Sequence, residues 1–114
     1  MRDARPKRTL AALALLAGVG ASGVAQAQES LTLTITHYND RGTTYSGTQT
    51  RPGVAACSWG FEIGERLRLP SGTVVTCEDR GQLGAGRAWV DVWVPTRAEA
   101  LERGRYTATV EVLR

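Results

Sequence analysis

Short runs with a two-residue period, separated by turns, constrain the fold of this chain more than any other feature. Residues 31–36, 89–94 and 106–113 each alternate in side-chain character. Successive side chains of a β-strand point to opposite faces, so alternation of this kind predicts strands. One face of the three predicted strands holds Leu31, Leu33 and Ile35, then Val90, Val92 and Val94, and finally Ala108, Val110 and Val112.

The segments between these runs supply shorter elements and turns. Residues 54–57 form a short apolar piece, and residues 66–69 and 73–77 flank the turn sequence Pro-Ser-Gly, which predicts a hairpin. Residues 39–53 are polar and rich in Gly, Thr and Ser, which predicts a long loop over a cleft.

One helix is predicted at residues 97–103. Thr96 is placed to cap its first turn, Glu99 completes a capping box, and Gly104 is placed to end it. Several short strands, one short helix and no internal repeat predict a small, mainly β domain that closes into a barrel rather than a sandwich.

The first 27 residues have the features of a secretory signal peptide. A basic start precedes an apolar run at residues 10–19, and Ala25-Gln26-Ala27 forms an A-x-A cleavage signal. The apolar run is too short to span a bilayer as a helix. We therefore expect a secreted protein of the periplasm or cell envelope, with its folded domain in residues 28–114 and no membrane span.

The positive charge of the chain belongs to this leader. The formal net charge is +3, and residues 1–27 carry all of it, since they hold four basic residues and one acidic residue. Residues 28–114 are balanced, so they lack the clustered positive charge on which nucleic-acid binding depends. We expect no nucleic-acid partner, and we expect a monomer.

Cys57 and Cys77 are the only cysteines. Exported proteins meet oxidising conditions, so the pair predicts a disulfide. The alternative is a zinc site, but His37 is the only histidine and the chain has no C-x-x-C sequence. We expect no metal and no cofactor.

An acid between two indoles marks the candidate site. The two-residue period puts Trp89, Asp91 and Trp93 on one face of their strand, opposite the valines. Neighbouring indoles favour a carboxyl with a raised pKa, as a general acid requires. The alternative is a carboxylate that caps a loop or pairs with Arg87. Asp79 is a candidate second carboxylate, or an aspartate that bonds its own turn.

Seven segments occur in order along the chain: T-H-Y at 36–38, Y-S-G-T at 45–48, G-V-A-A at 53–56, I-G-E-R-L at 63–67, E-D-R-G at 78–81, V-D-V-W-V-P-T-R-A-E-A at 90–100 and T-V-E-V-L at 109–113. In this order and spacing they resemble the three-aspartate (3D) domain, the double-psi β-barrel module of membrane-bound lytic transglycosylase A. They are also similar to rare-lipoprotein-A-like and expansin-like barrels. The resemblance extends from residue 36 to residue 113, which is nearly the whole of the expected domain.

The resemblance implies a six-stranded double-psi β-barrel with one short helix, and a peptidoglycan strand as ligand. Catalytic members cleave the bond between N-acetylmuramic acid and N-acetylglucosamine. One aspartate acts as acid and then as base, and the sugar's own C6 hydroxyl is the nucleophile. By this resemblance Asp91 and Asp79 are the catalytic residues. The candidate sugar-binding residues are Trp89, Trp93, Tyr38 and Tyr45, because the face of an aromatic ring packs well on a pyranose ring. The alternative for Trp89 and Trp93 is a place in the core, and we expect Trp59 to be structural.

The chain departs from the resemblance at one aspartate. The third aspartate of the family falls on Cys57, and Arg80 stands where the family has small or hydroxyl-bearing residues. The length of the chain also leaves no room for the second substrate-holding domain of the large enzyme. Two functions therefore remain open: a peptidoglycan lytic transglycosylase, and a barrel that binds wall glycans without cutting them.

Overall fold

The computed structural model describes residues 27–81 and 86–113, which form six strands and one helix. The predicted leader lies outside the described residues except for Ala27, where the first strand begins. The elements are β1 (Ala27–Tyr38), β2 (Val54–Cys57), β3 (Arg66–Arg68), β4 (Val74–Asp79), β5 (Trp89–Trp93), α1 (Arg97–Arg103) and β6 (Tyr106–Leu113).

The six strands close into a barrel in the order β1-β5-β2-β4-β3-β6, and β6 pairs with β1. Two pairings are parallel, β1 with β5 and β2 with β4, and the other four are antiparallel. The predicted closed, mainly β barrel with one short helix is confirmed. A mixed barrel with this strand number is consistent with the double-psi class.

The apolar faces of the alternating runs meet inside the barrel, as the two-residue period predicts. The interior residues are Leu33, Ile35, Ala55, Cys57, Phe61, Leu67, Leu69, Val75, Cys77, Val90, Val92, Val110 and Val112, with Leu31 and Ala108 packed against them. Because these side chains fill the interior, a ligand has to bind on the outer surface of the barrel or in its loops.

The predicted hairpin and helix are confirmed. Leu69 N–H donates to Thr73 O at 2.8 Å, which closes the turn between β3 and β4. In α1, Thr96 Oγ1 accepts from Glu99 N–H at 3.1 Å, and Gly104 ends the helix at a φ of 66°. The Glu99 carboxylate accepts from Arg103 Nε at 2.8 Å, so this side chain serves an ion pair one turn along the helix.

The predicted disulfide is also confirmed. Cys57 on β2 and Cys77 on β4 are bonded, with their Cα atoms 5.6 Å apart, and both residues are fully buried. The bond lies inside the barrel and joins two neighbouring strands.

Gly60 lies where two loops approach closely. Its N–H donates to Gly86 O at 2.8 Å, and a Cβ atom at this position would lie 2.5 Å from the carbonyl carbon of Gly86. Only glycine fits this contact without a shift of the backbone.

Helix α1 has seven residues and half-buried or exposed side chains. In the described part of the chain, no helix combines the length and the apolar character needed to cross a membrane.

Candidate functional site

The two candidate carboxylates lie on either side of one small residue of the barrel wall. On β2, Ala56 pairs with Asp91 of β5 on one side and with Asp79 of β4 on the other. Neighbouring strands are about 4.8 Å apart, so the Cα atoms of the two aspartates are about 10 Å apart. The methyl side chain of Ala56 leaves the space between them open.

A groove with a cavity volume of about 320 Å³ runs over this part of the outer surface. Asp79 and Asp91 both line it, so the structure brings the two predicted carboxylates together. Its other walls come from the end of β1, the loop after it and the residues that follow β4. The remaining lining residues are Tyr38, Asp40, Arg41, Gly42, Thr43, Thr50, Ala56, Arg80 and Gly81.

The Asp91 carboxyl is half-buried and receives a hydrogen bond from a side chain of the neighbouring strand. Thr36 Oγ1 donates to Asp91 Oδ1 at 2.9 Å, and Trp89 Nε1 donates to Thr36 Oγ1 at 3.1 Å. The two bonds form a short chain from the indole to the carboxyl, which fixes the rotamer of both polar side chains.

The pKa of Asp91 is raised above its usual range. Burial is the main cause, because it disfavours the charged form. The hydrogen bond from Thr36 and the electrostatic interaction with His37 act in the opposite direction. The nearby carboxylates of Asp40 and Asp79 raise the pKa further. Asp91 therefore keeps its proton to a higher pH than an exposed aspartate does.

The predicted alternative partner of Asp91 lies elsewhere. Arg87 NH1 donates to Glu29 Oε1 at 3.1 Å, and its NH2 donates to Glu65 Oε2 at 3.2 Å. Among the described residues, no salt bridge involves Asp91 or Asp79. The alternative in which Arg87 pairs with Asp91 is wrong.

Asp79 is held by three hydrogen bonds. Tyr38 OH donates to Oδ2 at 3.0 Å, and the backbone N–H groups of Tyr45 and Arg80 donate to Oδ1, each at 2.9 Å. The bond to Arg80 is the local turn contact that the sequence offered as an alternative role. The bonds from Tyr38 and Tyr45 also hold the carboxylate at the groove. The Asp79 side chain therefore bonds its own turn and lines the groove as well.

The phenol of Tyr38 stays protonated. Its pKa is raised far above the ordinary value, mainly by burial and next by the charge and hydrogen bond of Asp79. Tyr38 is therefore a hydrogen-bond donor to Asp79 over the physiological pH range.

The other three predicted sugar-binding residues have different surroundings. Trp93 is 5% exposed, and its Nε1 donates to Asp40 O at 2.8 Å, so it packs beneath the loop that follows β1. Trp89 is half-buried, with the guanidinium of Arg105 4.6 Å from its ring centroid. Tyr45 is 61% exposed beside the groove. Trp93 thus has little surface for a ligand, whereas Tyr45 has much.

Sequence reasoning missed one exposed aromatic side chain. Trp59, which is expected from the sequence to be structural, is 53% exposed and lies edge-on to Tyr45, with ring centroids 5.4 Å apart. The guanidinium of Arg80 lies 4.7 Å from the Trp59 centroid. The only signal in the sequence is a tryptophan directly before Gly60, in a turn, where few core residues are found.

The residue at the third family aspartate faces away from the groove. Cys57 lies in the barrel interior, whereas its neighbour Ala56 lines the groove, as alternation along a strand requires. The carboxyl groups of Asp79 and Asp91 next to Ala56, the Asp40 carboxyl on the loop after β1 and the Tyr38 hydroxyl are therefore the groups of the groove available for proton chemistry.

A second cavity, of about 220 Å³, lies near α1 and the β3–β4 turn, with a mostly apolar lining that includes Leu69, Val75 and Tyr106. His37 lines it too, and its Nδ1–H donates to Gly104 O at 2.9 Å. This cavity lacks the pair of carboxylates that the groove has. In the described residues, no three His, Cys, Asp or Glu side chains are arranged to hold a metal ion.

None of the known protein-family models matches the chain, and none of the curated proteins matches it in sequence.

We expect Asp91→Asn to stabilise the fold, with a gain that grows as the pH rises. The folded-state pKa of Asp91 lies above its ordinary value of 3.8, so folding opposes its ionisation. At a pH below that ordinary value, the folded and unfolded states both hold the proton, so ionisation of Asp91 costs no stability. Above it the unfolded chain loses the proton more readily, and stability falls until the folded-state pKa is passed. Asparagine carries no charge and avoids this loss.

Thermal unfolding of both proteins at about pH 3 and about pH 7 measures the effect. The variant should have the higher midpoint at the neutral pH, and the difference should shrink in acid. An equal difference at both pH values would show that ionisation of Asp91 is not its cause.

Proposed function

We propose that this protein is a secreted cell-wall enzyme, a peptidoglycan lytic transglycosylase with Asp91 as its acid and base. One observation carries the proposal: the Asp91 carboxyl is half-buried, is not paired with a described cation and shares an open groove with a second carboxylate. A carboxyl with a raised pKa keeps a proton that it can give to a leaving oxygen.

The proposed reaction begins with proton transfer from Asp91 to the oxygen between N-acetylmuramic acid and N-acetylglucosamine. The bond from C1 of the muramic residue to that oxygen breaks, and C1 gains positive charge. The C6 hydroxyl of the same sugar then attacks C1, and the Asp91 carboxylate takes its proton. The products are a 1,6-anhydromuramic end and a free N-acetylglucosamine end, so no water is consumed and Asp91 regains its proton.

Asp79 suits a supporting role in this reaction. Its three hydrogen bonds fix its orientation, and one of them comes from Tyr38 at the groove wall. A fixed carboxylate close to C1 stabilises the positive charge that develops there. The chemistry needs a proton donor and a negative charge, so the proposal includes no metal and no cofactor.

We also propose that the chain belongs to the 3D-domain group and that its barrel is of the double-psi type. The closed mixed barrel with six strands supports this assignment, as do the segments that resemble the group along residues 36–113. Secretion follows from the leader features of residues 1–27. The Cys57–Cys77 disulfide supports an oxidising location.

A second candidate function is a barrel that binds wall glycans without cutting them. One specific observation favours it: the residue at the third family aspartate is Cys57, which is committed to the interior disulfide. If that third carboxylate is needed for turnover, the groove binds a glycan strand and releases no product.

Digestion of purified sacculi by the mature protein tests the proposal. Mass spectrometry of the soluble fraction should show muropeptides with 1,6-anhydromuramic ends. Release of reducing-end muropeptides would instead indicate hydrolysis by water and contradict the transglycosylase step. If nothing is released while the protein sediments with the sacculi, the binding module is the correct function.

A further inference from the structure

Two exposed aromatic rings lie next to the groove and have no role in the proton chemistry. Tyr45 and Trp59 are 61% and 53% exposed, and they contact each other edge to face. Large aromatic side chains are normally placed where they bury surface, so a contacting pair this exposed indicates a binding surface. We call Tyr45, Trp59 and Arg80 the aromatic platform.

Within the platform, Arg80 supports the two aromatic rings. NH1 donates to Cys57 O at 3.2 Å and to Ser58 O at 2.9 Å, and NH2 donates to Phe61 O at 2.6 Å. Three carbonyl partners hold the guanidinium in one position, 4.7 Å from the Trp59 ring centroid. The Trp59 ring therefore packs against a preorganised group, which lowers the entropy cost of binding.

The platform is continuous with the groove. Arg80 lines the groove and also contacts both platform rings, with its guanidinium 6.0 Å from the Tyr45 centroid. The backbone N–H of Tyr45 donates to Asp79, which lines the groove. A linear ligand that lies over Asp91 and Asp79 and extends past Arg80 reaches the platform next.

We propose that the aromatic platform binds one pyranose ring of a glycan strand whose neighbouring sugars occupy the groove. A pyranose ring presents a flat face of C–H groups, which packs well on an indole, and the rim hydroxyls stay in water. This inference rests on the proposed function for the identity of the strand. It adds a subsite that selects for length, since only a strand longer than the groove reaches Trp59.

The experiment measures binding of a defined glycan by calorimetry. The probe is a tetrasaccharide of alternating N-acetylglucosamine and N-acetylmuramic acid without stem peptides, and the disaccharide is its short counterpart. All proteins carry Asp91→Asn, so that the probe stays intact. We compare this parent with added Trp59→Ala, with Trp59→Tyr, and with Leu101→Ala, which removes a 67% exposed side chain on α1.

We expect Trp59→Ala to weaken tetrasaccharide binding about tenfold, the size typical of a lost aromatic contact. Trp59→Tyr should restore most of the affinity because it keeps a flat ring, and Leu101→Ala should bind as the parent does. Any disaccharide binding should be the same in all four proteins, and circular dichroism should show equal folding.

Equal tetrasaccharide affinity in the parent and in Trp59→Ala overturns the platform, whatever the sacculus digestion shows. A parent that does not bind the tetrasaccharide overturns it as well. The experiments also distinguish failure of the proposed function from failure of the platform. If wild type releases no muropeptides but Trp59→Ala loses affinity, the platform stands and the transglycosylase proposal fails.

Discussion

Replacing Asp91 by asparagine should reduce the release of anhydro-muropeptides from sacculi by a factor of about 100 to 10,000. Asparagine has the size of aspartate, and its Oδ1 can still accept from Thr36 Oγ1, which donates at 2.9 Å in the native site. The amide has no proton to give to the glycosidic oxygen and does not take one from the C6 hydroxyl. Both proton transfers are therefore lost together.

The matched control is Glu102→Gln. Glu102 lies on the exposed surface of α1, outside the groove lining, and the substitution makes the same change from carboxylate to amide. Its product release should equal that of wild type. If Asp91→Asn keeps full activity while Glu102→Gln does too, Asp91 is not the acid. If Asp91→Asn still binds sacculi, its loss of product release is a loss of the chemical step and not of binding.

The strands could be predicted because their physical cause is local. Side chains at alternate positions share a face, so Leu33 and Ile35 on β1 could be assigned to the core without knowledge of the partner strands. The helix caps are local in the same sense, because Thr96 and Glu99 lie within one turn of each other. Patterns confined to a few residues are the ones that a sequence displays.

Apart from the hairpin of β3 and β4, the neighbours of each strand could not be predicted from these patterns. β1 pairs with β5 and β6, the last strands of the chain, and β2 pairs in parallel with β4. Parallel pairing depends on connections that cross the barrel, and alternation carries no information about them. Only the resemblance indicates that Asp79 and Asp91 share one site, and no sequence pattern indicates that both pair with Ala56.

The two-residue period also could not predict which side chains outside the barrel interior are exposed to solvent. Trp93 is on the outer face, as alternation predicts, but the loop that follows β1 covers it through Asp40 and Arg41. Trp59 lies in a turn and is open to solvent, although a tryptophan in a small domain usually contributes to the core. The two-residue period assigns a side chain to one face of its strand, but tertiary contacts determine whether other residues cover that face.

Removing the disulfide should have the largest effect on stability. Cys57 and Cys77 are 20 residues apart in sequence, and the chain-entropy account gives about 3 kcal/mol for a loop of that size. Both residues are fully buried, so replacing them by alanine also takes two sulfur atoms out of the core. A domain this small is stabilised by only about 5–10 kcal/mol in total, so the loss is a large part of it.

We expect the double variant Cys57→Ala, Cys77→Ala to unfold at a lower urea concentration, with a loss of about 3–5 kcal/mol. Wild type unfolded and refolded in excess dithiothreitol keeps both sulfur atoms, so comparing it with the double variant separates the cross-link from the packing. The bond joins β2 and β4, which carry Ala56 and Asp79 on their outer faces. The groove should therefore be lost when the domain of the double variant unfolds. A double variant with the midpoint of oxidised wild type would show that closure of the barrel does not depend on this cross-link.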